Sequence, residues 1–199
     1  FSVDAIQSVG VVPTDVIASG VDFMAVGGHK WMMSPLGTGF LYVTEELQSR
    51  LKLVHRGYMG HVNPIDFGNF DQELSPNAQR FELGAFNASG MVGAEKATEL
   101  LLECGIDSIF RHVRKLIGQF EWGLDELPFK TMYQFEENEQ SSICMFSHND
   151  ASRNEAIFQS LSASGVNISL RGGGLRLAPH YYNTSDEVDQ ILALLKGSS

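Results

Sequence analysis

Residues 21–43 constrain this chain most, and they read VDFMAVGGHKWMMSPLGTGFLYV. An apolar run, Phe23-Met24-Ala25-Val26, ends in Gly27-Gly28, and His29-Lys30 follow at once. A second turn signal, Ser34-Pro35-Leu36-Gly37-Thr38-Gly39, leads into another apolar run, Phe40-Leu41-Tyr42-Val43. In physical terms, a buried strand delivers one lysine to a tight corner lined by glycine. A lone lysine at a strand-to-turn junction is ordinarily a solvated surface residue. One held in a glycine corner must be solvated, paired or covalently used.

The rest of the chain alternates short strands with helices. Strands are expected over 1–6, 22–26 and 40–43, with a turn at 10–13 and a brief helical segment, capped by Thr14 or Asp15, through Ala18. Thr44 caps a helix running to about Leu51. Residues 55–82 read as irregular, punctuated by Gly57, Gly60, Pro64, Gly68 and Pro76; a loop this long is functional or wrapped against a partner. A helix is expected from Asn87 to about Cys104, stopped by Gly105. Asp107 is the expected cap of the next helix, whose apolar face is Ile106, Ile109, Phe110, Val113, Ile117, Phe120 and Leu124.

Beyond Pro128 the pattern predicts a strand over 129–135, an acidic turn over 136–140 and a strand over 142–146. A helix over 152–164, a strand over 167–170, a glycine turn at 172–174 and a strand over 175–178 follow. Thr184-Ser185-Asp186-Glu187 is a capping box for a last helix with Val188, Ile191, Leu192 and Leu195 on its apolar face. Two regions are expected, 1–104 and 105–199.

Composition narrows the partners. An apolar share of 43% is that of a globular chain, and a net charge of −10 argues against nucleic acid or an anionic membrane. The two cysteines, Cys104 and Cys144, read as buried free thiols in a reducing, cytoplasmic compartment. No apolar run is long enough to span a bilayer, and no signal-peptide pattern opens the chain. Phe1-Ser2-Val3-Asp4 reads as the middle of a strand, so the chain is expected to be the C-terminal portion of a longer protein.

Three features line up: Asp4 and Gln7 at a strand end, Lys30 behind Gly27-Gly28-His29, and Gly37-Thr38-Gly39 shortly after. With the segments RFELGAFN at 80–87 and LRLAPHYYNT at 175–184, they resemble the class V aminotransferase branch of fold-type I pyridoxal phosphate (PLP) enzymes, in particular its cysteine desulfurase-like and C–S lyase-like members. The resemblance covers essentially the whole chain, as the C-terminal half of a family member. It implies an α/β, PLP-dependent transferase-like fold. Residues 1–104 would be part of the large cofactor-binding domain, with its sheet incomplete, and 105–199 a small α/β domain.

The resemblance also assigns roles. Lys30 is implied as the Schiff-base lysine and as general base and acid at the substrate Cα. Asp4 is implied against the pyridine nitrogen, Gln7 at the phenolic oxygen and His29 at the phosphate or ring edge. Ala85 is implied near the phosphate through its backbone N–H, and Arg176 as the anchor for the substrate α-carboxylate. No metal site is expected. Small amino acids and keto acids are the implied substrates, and a homodimer the implied assembly.

The sequence departs from the family in four places. The segment Ser169-Leu170-Arg171-Gly172-Gly173-Gly174 before Arg176 is short and lacks the cysteine nucleophile of desulfurases. Ala85 stands where the family usually has a hydroxyl residue, and Gly28 where many relatives have Ser. The family's N-terminal half, with its main phosphate loop, does not precede Phe1. The expected activity is therefore amino-group transfer on a small amino acid. A cysteine or cystine C–S lyase, and a fragment that binds no PLP, are the two alternatives.

Overall fold

The computed structural model describes residues 1–69, 71–133, 136 and 139–197. The chain divides into two compact units, Phe1–Cys104 and Gly105–Ser199.

The first unit is built on a three-stranded sheet. Strand β1 (Ser2–Asp4) runs parallel to β2 (Phe23–Gly27), which pairs antiparallel with β3 (Gly39–Val43). Strand alternation puts Val3, Met24 and Val26 on one face, where Ala5, Val9, Val16 and Val21 pack over them. On the other face Asp4 and Ala25, partners in the β1–β2 register, are exposed. Sheets with parallel pairs normally have both faces covered; on this second face Val43 is buried while Asp4 and Ala25 are open.

Local side-chain chemistry shortens two expected elements. The first strand stops at Asp4, not at residue 6, because Asp4 Oδ1 accepts the Ile6 N–H at 3.1 Å and turns the backbone away. The expected helical segment through Ala18 is a turn over 16–20, not a helix. Asp15 Oδ1 accepts the N–H groups of Ile17 and Ala18 at 2.9 and 3.0 Å, but the chain leaves at Gly20 after one turn. Thr44 does cap a helix, α1 (Glu45–Arg50), its hydroxyl accepting from Leu47 N. Among the described residues, 51–87 hold two short 3₁₀ turns, Tyr58–Gly60 and Ala78–Phe81, and one bridge between His61 and Leu74. They expose Val54, Val62, Ile65, Phe67, Leu83 and Phe86. Helix α2 (Ala88–Cys104) closes the unit.

The second unit opens with α3 (Ile106–Leu124), which buries Ile109, Val113, Leu116, Ile117, Phe120 and Leu124. The expected face omitted Leu116, and its Ile106 and Phe110 are only half-buried. Asp107 is not the cap. Gly105 holds that position with no side-chain bond, and Asp107 lies in the first turn, where the helix dipole favours a carboxylate. A fully antiparallel sheet of order β4-β5-β7-β6 follows, formed by β4 (Phe129–Thr131), β5 (Cys144–His148), β6 (Ser169–Arg171) and β7 (Gly174–Leu177). Phe120 meets Phe146 edge-on at 4.9 Å in its core.

Strands β5 and β6 begin two residues later than the pattern predicts, because pairing with β7 sets their register. The end of the expected strand at Gln134 and Phe135, and Glu137 and Asn138 of the acidic turn, lie outside the described residues. The expected helix over 152–164 begins as a 3₁₀ turn, Ala151–Arg153, and becomes α4 (Asn154–Ala163). The capping box forms as read: Thr184 N donates to Glu187 Oε2 at 2.7 Å and Glu187 N to Thr184 Oγ1 at 3.3 Å, opening α5 (Ser185–Gly197). Among the described residues no helix is long and apolar enough to cross a membrane.

Candidate active site

The corner after β2 is a closed backbone structure. Gly28 N donates to Thr38 O at 2.9 Å, Ser34 N to Gly28 O at 2.8 Å and Met33 N to Lys30 O at 3.0 Å. Gly28 is buried, and a Cβ there would lie 2.8 Å from Ser34 Cβ and 3.0 Å from Thr38 Oγ1. A serine at position 28 therefore does not fit, because the side chains of Ser34 and Thr38 already fill that space. Trp31 is buried at the corner, while His29 and Lys30 are exposed. Among the described residues the Lys30 ammonium has neither ion-pair nor hydrogen-bond partner.

The stretch after β1 lies along this corner. A Cβ on Gly27 would sit 2.9 Å from Ile6 Cδ1 and 3.4 Å from His29 Cε1. Gly10, at φ +101°, is packed so that a Cβ would meet the Trp31 carbonyl carbon at 2.7 Å and Met32 N at 2.9 Å. Asp4, Gln7, His29 and Lys30 thus belong to two adjoining segments. Asp4 is exposed on the open sheet face and Gln7 is half-buried in the turn.

Asn87 fastens α2 to the same corner. Its Oδ1 accepts from Gly90 N at 2.9 Å, capping the helix, and its Nδ2 donates to Leu36 O at 3.2 Å. Ala85, two residues earlier, is exposed. The sequence reading quoted Ser34, Thr38 and Asn87 within its motifs but gave their side chains no role. The Ser-Pro-Leu-Gly-Thr-Gly turn signal was legible, but the direction of its hydroxyls depends on how the turn closes over Gly28.

Arg176 belongs to the second unit, in the middle of β7 between Met145 on β5 and Ser169 on β6. Its Nε and the Ser169 Oγ are both buried, and neither has a hydrogen-bond partner among the described residues. Only Gly172 and Gly173, at φ +57° and +78°, link β6 to β7, the two-residue turn in which both positions need positive φ. The thiols differ sharply. Burial pushes Cys144 up to about 12, with the Glu121 carboxylate adding to the effect, while Cys104, expected to be buried as well, is exposed because it is the last residue of α2. Among the described residues no group of three His, Cys, Asp or Glu side chains is arranged to hold a metal.

The family model described as "Aminotransferase class-V" matches residues 1–191. A probable cysteine desulfurase of Methanothermobacter thermautotrophicus is 28% identical over 96% of this chain and 51% of its own length. The uncharacterized aminotransferase YcbU of Bacillus subtilis is 30% identical over 96% of this chain and 50% of its own length. Among solved structures, the apo cysteine desulfurase of Thermococcus onnurineus NA1 superposes with a TM-score of 0.87 at 24% identity, covering 99% of this chain and 52% of the other. The cystine C-S lyase C-DES superposes with a TM-score of 0.83 at 22% identity, covering 96% of this chain and 50% of the other. The chain spans about half the length of the relatives it matches. It belongs to the class V aminotransferase family, whose fold is that of the PLP-dependent fold-type I proteins.

Proposed function

We propose that this chain carries the lysine-bearing part of a PLP site in an enzyme acting at Cα and Cβ of a small sulfur-containing amino acid, by C–S lyase-type elimination and not by persulfide formation on a cysteine. The observation that carries this reading is the β6–β7 hairpin. Its turn has only Gly172 and Gly173, so no loop there brings a thiol up before Arg176. The interior Cys144 thiol, pushed up to about 12, is a poor nucleophile. The relatives named cysteine desulfurase support a sulfur amino acid as substrate class.

The residues present fit the cofactor. Lys30 offers an exposed, unpartnered amine at the end of β2, and Lys30 Nζ would hold PLP covalently. When bound, PLP supplies the electron sink that makes the Cα proton of an amino acid removable. Lys30 Nζ would take that proton as base and, as the Cβ–S bond breaks, give it as acid to the departing sulfur. Asp4 has one oxygen engaged by Ile6 N–H and offers the other as acceptor to a protonated ring nitrogen. Gln7, in the turn after β1, and His29, beside Lys30 in sequence, are suited to the ring oxygen and ring edge. The exposed Ala85 contributes only a backbone N–H to a phosphate. The Arg176 guanidinium, with its buried Nε unsatisfied, is suited to a substrate carboxylate. A cytoplasmic homodimer belongs to the same reading, supported by the two free thiols and the exposed apolar side chains of residues 51–87.

Transamination is the second reading, favoured by the relative named an aminotransferase. Borohydride treatment of the chain with PLP, followed by peptide mass mapping, tests the cofactor site: the PLP mass is expected on the Lys30 peptide and absent from Lys30→Ala. No adduct at saturating PLP refutes the reading for this chain and favours a fragment that binds no PLP. Pyruvate released from cystine without an added keto acid supports elimination. Product formation that requires a keto acid supports transamination.

A further inference from the structure

We propose that Ser169 is a second anchor for the substrate carboxylate beside Arg176, and so helps restrict the site to free α-amino and α-keto acids over amides and peptides. The inference rests on the reading above that Arg176 faces that carboxylate. Ser169 and Arg176 are Cα partners in the antiparallel β6–β7 ladder. Directly opposed residues send their side chains to the same face, with Cβ atoms about 4.5–5.5 Å apart. The other register partner of Arg176 is Met145, whose thioether is a weak acceptor and no donor. Ser169 is therefore the strong polar side chain directly flanking Arg176 across the ladder.

Two unsatisfied atoms belong to that face. Arg176 Nε and Ser169 Oγ are each buried without a hydrogen-bond partner among the described residues. Buried donors left unmade are costly and rare in folded proteins, and where they persist a water, an ion or a ligand group can answer them. A carboxylate answers both at once, one oxygen accepting from the guanidinium and the other from the hydroxyl. A neutral amide has one carbonyl oxygen to offer, and its NH₂ would oppose the donors of Arg176. Arg171, the register partner of Gly174, shares the face two residues along β6 and is exposed, which adds to the positive field.

The test uses the chain labelled with ¹⁵N, following the arginine Nε–H correlations while pyruvate is added, with acetamide as the neutral control. Pyruvate is expected to shift the Arg176 signal and acetamide to leave it in place. Ser169→Ala should weaken pyruvate binding about tenfold, the worth of one hydrogen bond to a charged group, and Ser169→Thr should restore it. Both variants should keep the parent's ¹⁵N spectrum outside the neighbourhood of residue 169, a readout that disruption of the second unit would move. If Ser169→Ala binds pyruvate as tightly as the parent while Arg176→Lys does not, the role of Ser169 is overturned and that of Arg176 stands. If Arg176→Lys binds as the parent does, the underlying carboxylate reading falls. If pyruvate shifts nothing in the parent chain, both fall.

Discussion

Gly10 is where a single methyl group should do most damage to the lysine corner. At φ +101° it lies in a region closed to ordinary L residues, and a Cβ there would sit 2.7, 2.8 and 2.9 Å from Trp31 C, Trp31 O and Met32 N. Those neighbours are backbone atoms, so no rotamer change relieves the clash. In Gly10→Ala the backbone strain costs about 1–2 kcal/mol and the overpacking about 1–3 kcal/mol, for a loss of roughly 3–4 kcal/mol. Gly20 is the control: it also has positive φ, at +65°, but nothing lies within 4 Å of its Cβ position. Gly20→Ala should therefore cost only about 1 kcal/mol. Urea unfolding followed by the fluorescence of the buried Trp31, in a Trp122→Phe background, reads the difference. With an m-value of about 1.5 kcal/mol/M, the midpoint of Gly10→Ala should fall roughly 2 M. A loss within about 0.5 kcal/mol of the Gly20→Ala value, inside ordinary surface-mutant scatter, would refute the claim that this contact pins the corner.

Asn154 is buried, with Oδ1 accepting from His148 N at 2.9 Å and Nδ2 donating to Ser147 Oγ at 2.9 Å and Gly173 O at 2.7 Å. Asn154→Ala leaves these groups unpaired and should cost about 3 kcal/mol in thermal or urea unfolding; a loss under about 1 kcal/mol contradicts the network. Glu187 is held below the usual carboxylate range by the Thr184 N–H first and the Asn183 amide second. Its folded pKa is depressed, so its stabilisation is present above the ordinary value of 4.5 and is lost as pH falls through the folded pKa. Glu187→Gln should flatten the acid side of a melting-temperature profile, and an unchanged profile rejects the assignment. Thiol titration should count one reactive cysteine, Cys104, in the native chain and a second, Cys144, only after denaturation; two fast native thiols contradict the buried placement.

Much of the second unit was legible in the sequence. The helical period of Ile109, Val113, Ile117, Phe120 and Leu124 is a property of neighbouring residues, and it marked α3 and most of its buried face. The Thr184–Glu187 box and the glycines between β6 and β7 likewise act over three or four residues. Asp107 misled because a capping side chain competes with the conformation of the residue before it. Gly105, at φ +78°, made the turn into α3 without a side-chain cap.

Sequence alone determined the order of the elements, the glycine-lined corner that carries Lys30 and the absence of a cysteine in the short segment before Arg176. Those features depend on φ preference, side-chain period and local hydrogen bonds, which act between near neighbours. Tertiary structure alone decided that Ser34 and Thr38 leave no room for a side chain at Gly28, that Gly10 lies against the Trp31 backbone, and that Ser169 stands opposite Arg176. Packing distance, strand register and the desolvation of one nitrogen or hydroxyl are set by residues brought together from distant parts of the chain. Their energies come into being only when the chain closes.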